Sequence, residues 1–180
     1  YFGALGVGYV FIVVPLSQGF ILYLGQAVTA LGAVLAAVLL FAGLGSLTAP
    51  RWGARRALAL LAVVAALTPS GLDLLVAATL TWPLLARMAL SLLVLAPLGT
   101  LLGVPFARGL LFFEEHIEGV TPWAWAANGC ASVVAGVAAA MLALGFGFDA
   151  VVWCGATAYA GALALLGRPR PRAGRQGLPG

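Results

Sequence analysis

A chain of 180 residues that is 63% hydrophobic and 8% charged cannot coat itself for water, since soluble globular domains carry roughly 25% charged residues. Mean hydropathy is +1.12, so lipid is the bulk solvent for most of the chain. Its cations are nine arginines and no lysine, set between apolar runs rather than along one amphipathic face; that pattern indicates membrane topology and excludes nucleic-acid binding.

A spanning helix needs about 20 mostly apolar residues. Six runs qualify: Tyr1 to Leu24, Val28 to Leu47, Ala57 to Ala78, Leu84 to Val104, Pro122 to Leu144 and Ala150 to Leu166. They are long and continuous, which excludes the ten-residue alternation of a membrane β-barrel. The first run holds Pro15, Ser17 and Gln18. The third contains Pro69-Ser70-Gly71, which predicts a kink rather than two helices, because neighbours in a membrane repair a broken hydrogen bond. In the fifth, Thr121 is the expected N-cap and Pro122 suits the first turn. No charged segment precedes the first run and no cleavage site ends it, so it is not a signal peptide; the chain is expected to be part of a longer one. The expected fold is all-α, a polytopic bundle of six transmembrane helices over 1–167, with a disordered Arg/Pro/Gly-rich cytoplasmic tail over 168–180.

Six spans place eight of the nine arginines on the side of the N-terminus: the loop with Arg51, Arg55 and Arg56, the loop with Arg108, and the tail. Arg87 alone lies opposite. Positive charge favours the cytoplasmic side, so the expectation is a multi-pass cell-membrane protein with both termini cytoplasmic. Removing one span would scatter the arginines. Asp73 and Arg87 fall near the outer ends of neighbouring helices, where they either pair or reach the headgroups separately. Trp82 and Trp123 sit at span edges, as belt tryptophans do.

Polar residues inside spans are expensive and therefore informative. Ser17 and Gln18, just past Pro15, read either as the lining of a substrate path or as packing between helices. Asn128 sits among Gly129, Ala131, Ser132, Ala135 and Gly136, small residues that let another backbone approach; it reads as a tie to a neighbour, with a place on a transport path as the alternative. Gly99 and Gly103 form a small-xxx-small pair that supports packing. The stretch LLFFEEHIEGV predicts an amphipathic interfacial helix, with Leu110, Leu111, Phe112, Phe113 and Ile117 among headgroups and Glu114 and Glu118 on one face. One histidine, His116, beside carboxylates is poor support for a metal site. Cys130 and Cys154 read as small buried residues. No catalytic signature, metal site or cofactor site is expected in these residues.

Two stretches resemble known families. GSLTAPRWGARRAL (Gly45 to Leu58) resembles the loop between the second and third helices of a major-facilitator half, with Pro50 where an acidic residue usually stands. More of the chain is similar to the C-terminal membrane region of the spermidine synthase-like integral membrane proteins. The matching stretches are GVGYVFIVVPLSQGFILYLGQ (Gly6 to Gln26), LLFAGLGSL, APLGTLLGVPF (Ala96 to Phe106) and PWAWAANGCASVVAG (Pro122 to Gly136).

That family joins major-facilitator-like helices to an aminopropyltransferase-like domain. The resemblance implies a polyamine-linked parent whose catalytic domain is not in these 180 residues. Where the family usually has glutamate, arginine and histidine, this chain has Val13, Gly19 and Gln26. Joint absence of the first two is what a dispensable structural ion pair would leave. The expected role is a membrane module that anchors a cytoplasmic transferase domain and passes substrate or product to it. The alternatives are half of a secondary transporter that pairs with further membrane helices, and an inert anchor.

Overall fold

In the computed structural model, residues 1–166 are described; the tail expected over 168–180 lies outside them. Six helices follow one another: α1 (Phe2–Leu24), α2 (Ala27–Thr48), α3 (Ala54–Thr79), α4 (Leu84–Glu114), α5 (Val120–Phe146) and α6 (Phe148–Leu166). A short 3-10 turn, Ala49–Arg51, joins α2 to α3. There is no strand among the described residues. Each of the six is long and apolar enough to cross a membrane.

The apolar content of the sequence dictates this outcome directly. Lipid offers no hydrogen-bond partner, so every span must satisfy its own backbone, and helices do so. The prolines change little. Pro15, Pro69, Pro97 and Pro105 all lie inside helices, and α3 runs unbroken through Pro69.

Several expected boundaries move. At about 1.5 Å per residue, the 31 residues of α4 extend roughly 46 Å, well beyond a ~30 Å hydrocarbon core. Its last turns therefore project past the core and take up Leu110 to Glu114. No separate interfacial helix forms there; Glu114 ends α4, Glu118 lies in the following turn, and the two share no helix face. Phe113 instead packs toward the first residues of the chain, with its ring 5.6 Å from that of Phe2. Thr121 is not the N-cap of α5. Gly119 holds that place at φ 71°, a left-handed conformation that suits glycine, and Thr121 donates from Oγ1 to Glu114 Oε1 at 2.7 Å. Cys130 is exposed on α5 rather than buried, and Cys154 is intermediate.

α1 is the central helix and carries the largest share of the core, including Ile12, Leu16, Phe20 and Tyr23. The most extensive pairings are α2 with α4 and α1 with α5, followed by α1 with α6 and α3 with α6, and then equally by α1 with α2 and α3 with α4. Exchanging α1–α2–α3 for α4–α5–α6 preserves these pairings: α1–α5 becomes α4–α2, α1–α6 becomes α4–α3, and α3–α6 maps onto itself. A unit of three spans starts from the opposite side at each repetition, so the exchange is an inverted one. The contact between α5 and α6 has no counterpart between α2 and α3, that of α1 with α3 has none between α4 and α6, and α1 meets α2 more extensively than α4 meets α5.

Small residues set the closest approaches. A Cβ on Gly103 would overlap the carbonyl oxygen of Ala42, and one on Gly45 that of Thr100, so α2 and α4 meet backbone to backbone. Elsewhere the large apolar side chains point outward, among them Leu22, Val133 and Leu144. That surface fits a bilayer.

Candidate functional site

The buried polar side chains are few, and the two buried serines are satisfied within their own helices. Ser17 donates to Val13 O at 2.8 Å and Ser91 to Arg87 O at 2.7 Å, both within one helix turn. Ser17 thus faces the core and bonds inside α1. Its neighbour Gln18 points elsewhere, into a pocket of about 140 Å³ between α1, α3 and α6. Two proline-bearing stretches meet there, Pro15 of α1 and Pro69 of α3, with Thr68 beside them and the Asp149 carboxylate at the start of α6. Gln18 is exposed and makes no hydrogen bond to the described residues.

Asn128 lies at the other end of α1. Its backbone oxygen and its Oδ1 both lie close to Gly6, where a Cβ would collide with them, and its carbonyl accepts from Ser132 Oγ at 2.8 Å. The contact of α5 with α1 at this point is therefore a close backbone approach, and the side-chain amide makes no hydrogen bond to the described residues. Gly6 and Gln18 are twelve residues apart, about 18 Å along α1. Gln18 and Asn128 do not form one site.

Val13 and Gly19 also separate. Val13 is buried in the core, whereas Gly19 abuts Leu72 of α3. Six residues at 100° each turn them about 120° apart around α1, so charges at the two places would not face one another directly. Gln26 caps α2 as its N-terminal residue and accepts from Thr29 Oγ1 at 3.0 Å.

Arg51 ends the 3-10 turn, and Arg55 and Arg56 occupy the first turn of α3; all three are exposed. Cations oppose the dipole at a helix N-terminus. Their placement is explained by the membrane surface rather than by the helix.

The sequence reading missed one cluster. Tyr23, fully buried at the end of α1, lies 2.5 Å from Thr79 Oγ1 at the end of α3. Thr79 spends its own proton on Leu75 O at 2.7 Å, so the phenol is the donor in that pair. Arg87, in the first turn of α4, donates from Nη1 to the Tyr23 carbonyl at 2.5 Å and stands 5.5 Å over its ring. Arg87 does not pair with Asp73. Its Nε is buried and has no acceptor. The lone arginine opposite the others was visible in the sequence; that a tyrosine carbonyl 64 residues away would take it was not.

The opposite end of the bundle is aromatic. Tyr1 donates to Pro105 O at 2.6 Å. Phe2 packs edge-on to Phe106, whose ring lies 4.7 Å from Trp125.

These features describe a multi-pass membrane protein whose interior is apolar and whose free polar groups lie at helix ends and clefts. No protein-family model, no curated protein and no solved structure matches the chain.

Proposed function

We propose that the chain is the membrane module of a spermidine synthase-like, polyamine-linked protein, anchoring a cytoplasmic aminopropyltransferase-like domain and serving passage of its substrate or product. One observation supports this reading above others: the stretches that carry the resemblance are the ones that pack on each other. Gly6, in the first, receives Asn128, in the fourth; Gly45, in the second, meets Thr100, in the third. Each of the four stretches thus packs against another of them. The scarcity of buried charge argues for an anchor over an ion-coupled pump.

A second reading, half of a major-facilitator-type transporter, draws on the inverted three-helix exchange and on the Gln18 pocket, where two helix prolines and a carboxylate converge. The deciding experiment is spermidine flux into proteoliposomes holding the full parent protein, with Gln18→Ala and Asn128→Ala compared at equal protein. Flux that both variants leave untouched removes these residues from any path and leaves the anchor. Flux that falls with Gln18→Ala alone favours passage along the α1–α3–α6 cleft.

A further inference from the structure

A cleft of about 420 Å³ runs between α3 and α4 over a floor of Leu16 and Phe20 from α1. Its lining is hydrocarbon except for Thr68 and Thr79. Both hydroxyls are already committed, Thr68 to Val64 O at 2.9 Å and Thr79 to Leu75 O. The cleft therefore offers a polar ligand no free donor. Hydrocarbon fits it. Along α3 the lining extends from Val64 to Thr79, about 22 Å, somewhat more than one leaflet of a ~30 Å core. A groove of that length, open between two membrane-exposed helices, has the dimensions of one acyl chain.

What distinguishes it from any greasy seam is its Thr79 end. Arg87 lies on the α4 face that lines the cleft, seven residues before Val94 and so about 10 Å beyond it. The guanidinium is charged at every relevant pH. Nη1 goes to the Tyr23 carbonyl and Nε is buried with no acceptor, whereas Nη2 is not buried and makes no hydrogen bond to the described residues, so the guanidinium keeps an accessible donor to offer. The first N–H groups of α4 add positive potential at the same level. Trp82, exposed just before α4, stands where a belt tryptophan would. Asp73 faces the neighbouring cleft with Gly19, Leu22 and Tyr23 and does not neutralise Arg87.

We propose that this cleft is a site for an anionic membrane phospholipid, with one acyl chain lying between α3 and α4 and the phosphate accepted by Arg87. The chain-length groove and the orphaned guanidinium donor, at its headgroup end, are independent features of one ligand. A phosphate is the partner that suits them both, because its oxygens accept from the free guanidinium nitrogen and its charge answers the cation.

The test is native mass spectrometry of the full parent protein, delipidated and titrated with phosphatidylglycerol or phosphatidylcholine of identical chains. Wild type should retain phosphatidylglycerol about tenfold more strongly, the worth of one charge-assisted contact. Arg87→Gln should abolish that preference while leaving some binding of both lipids. Val94→Trp, at a half-exposed position in the cleft mouth, should weaken both lipids and leave the preference in what remains. Arg87→Lys, which keeps the charge, should keep part of the preference and carries the test if the glutamine variant does not fold. Equal retention of the two lipids by wild type overturns the proposal, as does an Arg87→Gln protein that still prefers phosphatidylglycerol.

Discussion

Gly103→Ala places a methyl group on the carbonyl oxygen of Ala42, and neither backbone has a side chain that can rotate out of the way. The helices α2 and α4 must separate along their most extensive contact. Overpacking of this kind costs about 1–3 kcal/mol. Alanine returns about 0.5–1 kcal/mol in helix propensity. Because two backbones oppose each other, the upper half of the range applies, and the net loss should be about 1–2.5 kcal/mol. Gly129→Ala is the control. Gly129 is also helical, but a Cβ there meets nothing within 4 Å, so the variant should gain a few tenths of a kcal/mol to about 1 kcal/mol. The assay is reversible unfolding in mixed micelles, followed by far-UV circular dichroism, with both variants purified from the same membranes. If Gly103→Ala unfolds with wild type, or if Gly129→Ala loses as much, close backbone approach is not what holds α2 on α4.

Other outcomes follow from the same geometry. Tyr23→Phe removes the phenol proton given to Thr79, which keeps its own bond to Leu75; stability should fall by about 0.5–1.5 kcal/mol, measured by the same unfolding, and no change would mean the pair is not formed in the membrane. Gly119→Ala forces a side chain into a left-handed conformation at φ 71° and should cost about 1–2 kcal/mol, whereas Gly119→Asn, which tolerates that region better, should cost less. Replacing Arg51, Arg55 and Arg56 together by glutamine should mix the orientations of the chain, read by labelling of single cysteines placed in the α2–α3 and α3–α4 loops from each side of sealed vesicles; a single unmixed orientation would show that these arginines do not set topology.

The fold class was legible because composition alone forces it: with so few charges, six long apolar runs have no fate but to span. Boundaries were less legible. Pro105 and Arg108 look like the start of a loop, yet α4 carries both, because a helix that has left the hydrocarbon core stays helical as long as Tyr1 and Phe2 give its last turns something to pack on. The start of α5 was placed late for a related reason. Thr121 has the right chemistry for a cap, but its hydroxyl goes to Glu114, seven residues back, and a glycine with positive φ opens the helix instead. Contacts between distant helices were not legible at all. Nothing in the residues around Arg87 announces Tyr23, since both runs are apolar all round and have no polar face to orient them.

The distribution of unsatisfied polarity bears on what kind of machine this is. In a bundle that moves ions through its own middle, buried polar groups would face one another across helices and remain partly unpaired for the cargo. Here the buried hydroxyls of Ser17 and Ser91 bond the turn before them, and the polar groups without a hydrogen bond to the described residues include the side chains of Gln18 and Asn128 and the Nε of Arg87. Gln18 and Asn128 contact different neighbours at different levels of α1, and Arg87 is at the bundle's end. Gln18 and Asn128 therefore do not converge on one interior path among the described residues. That distribution is what the proposed membrane module, working along its faces, would show. That is the physical ground for treating it as the membrane partner of something else, and it fails if Gln18→Ala and Asn128→Ala, made singly and together, reduce spermidine flux in a non-additive way that only one common path explains.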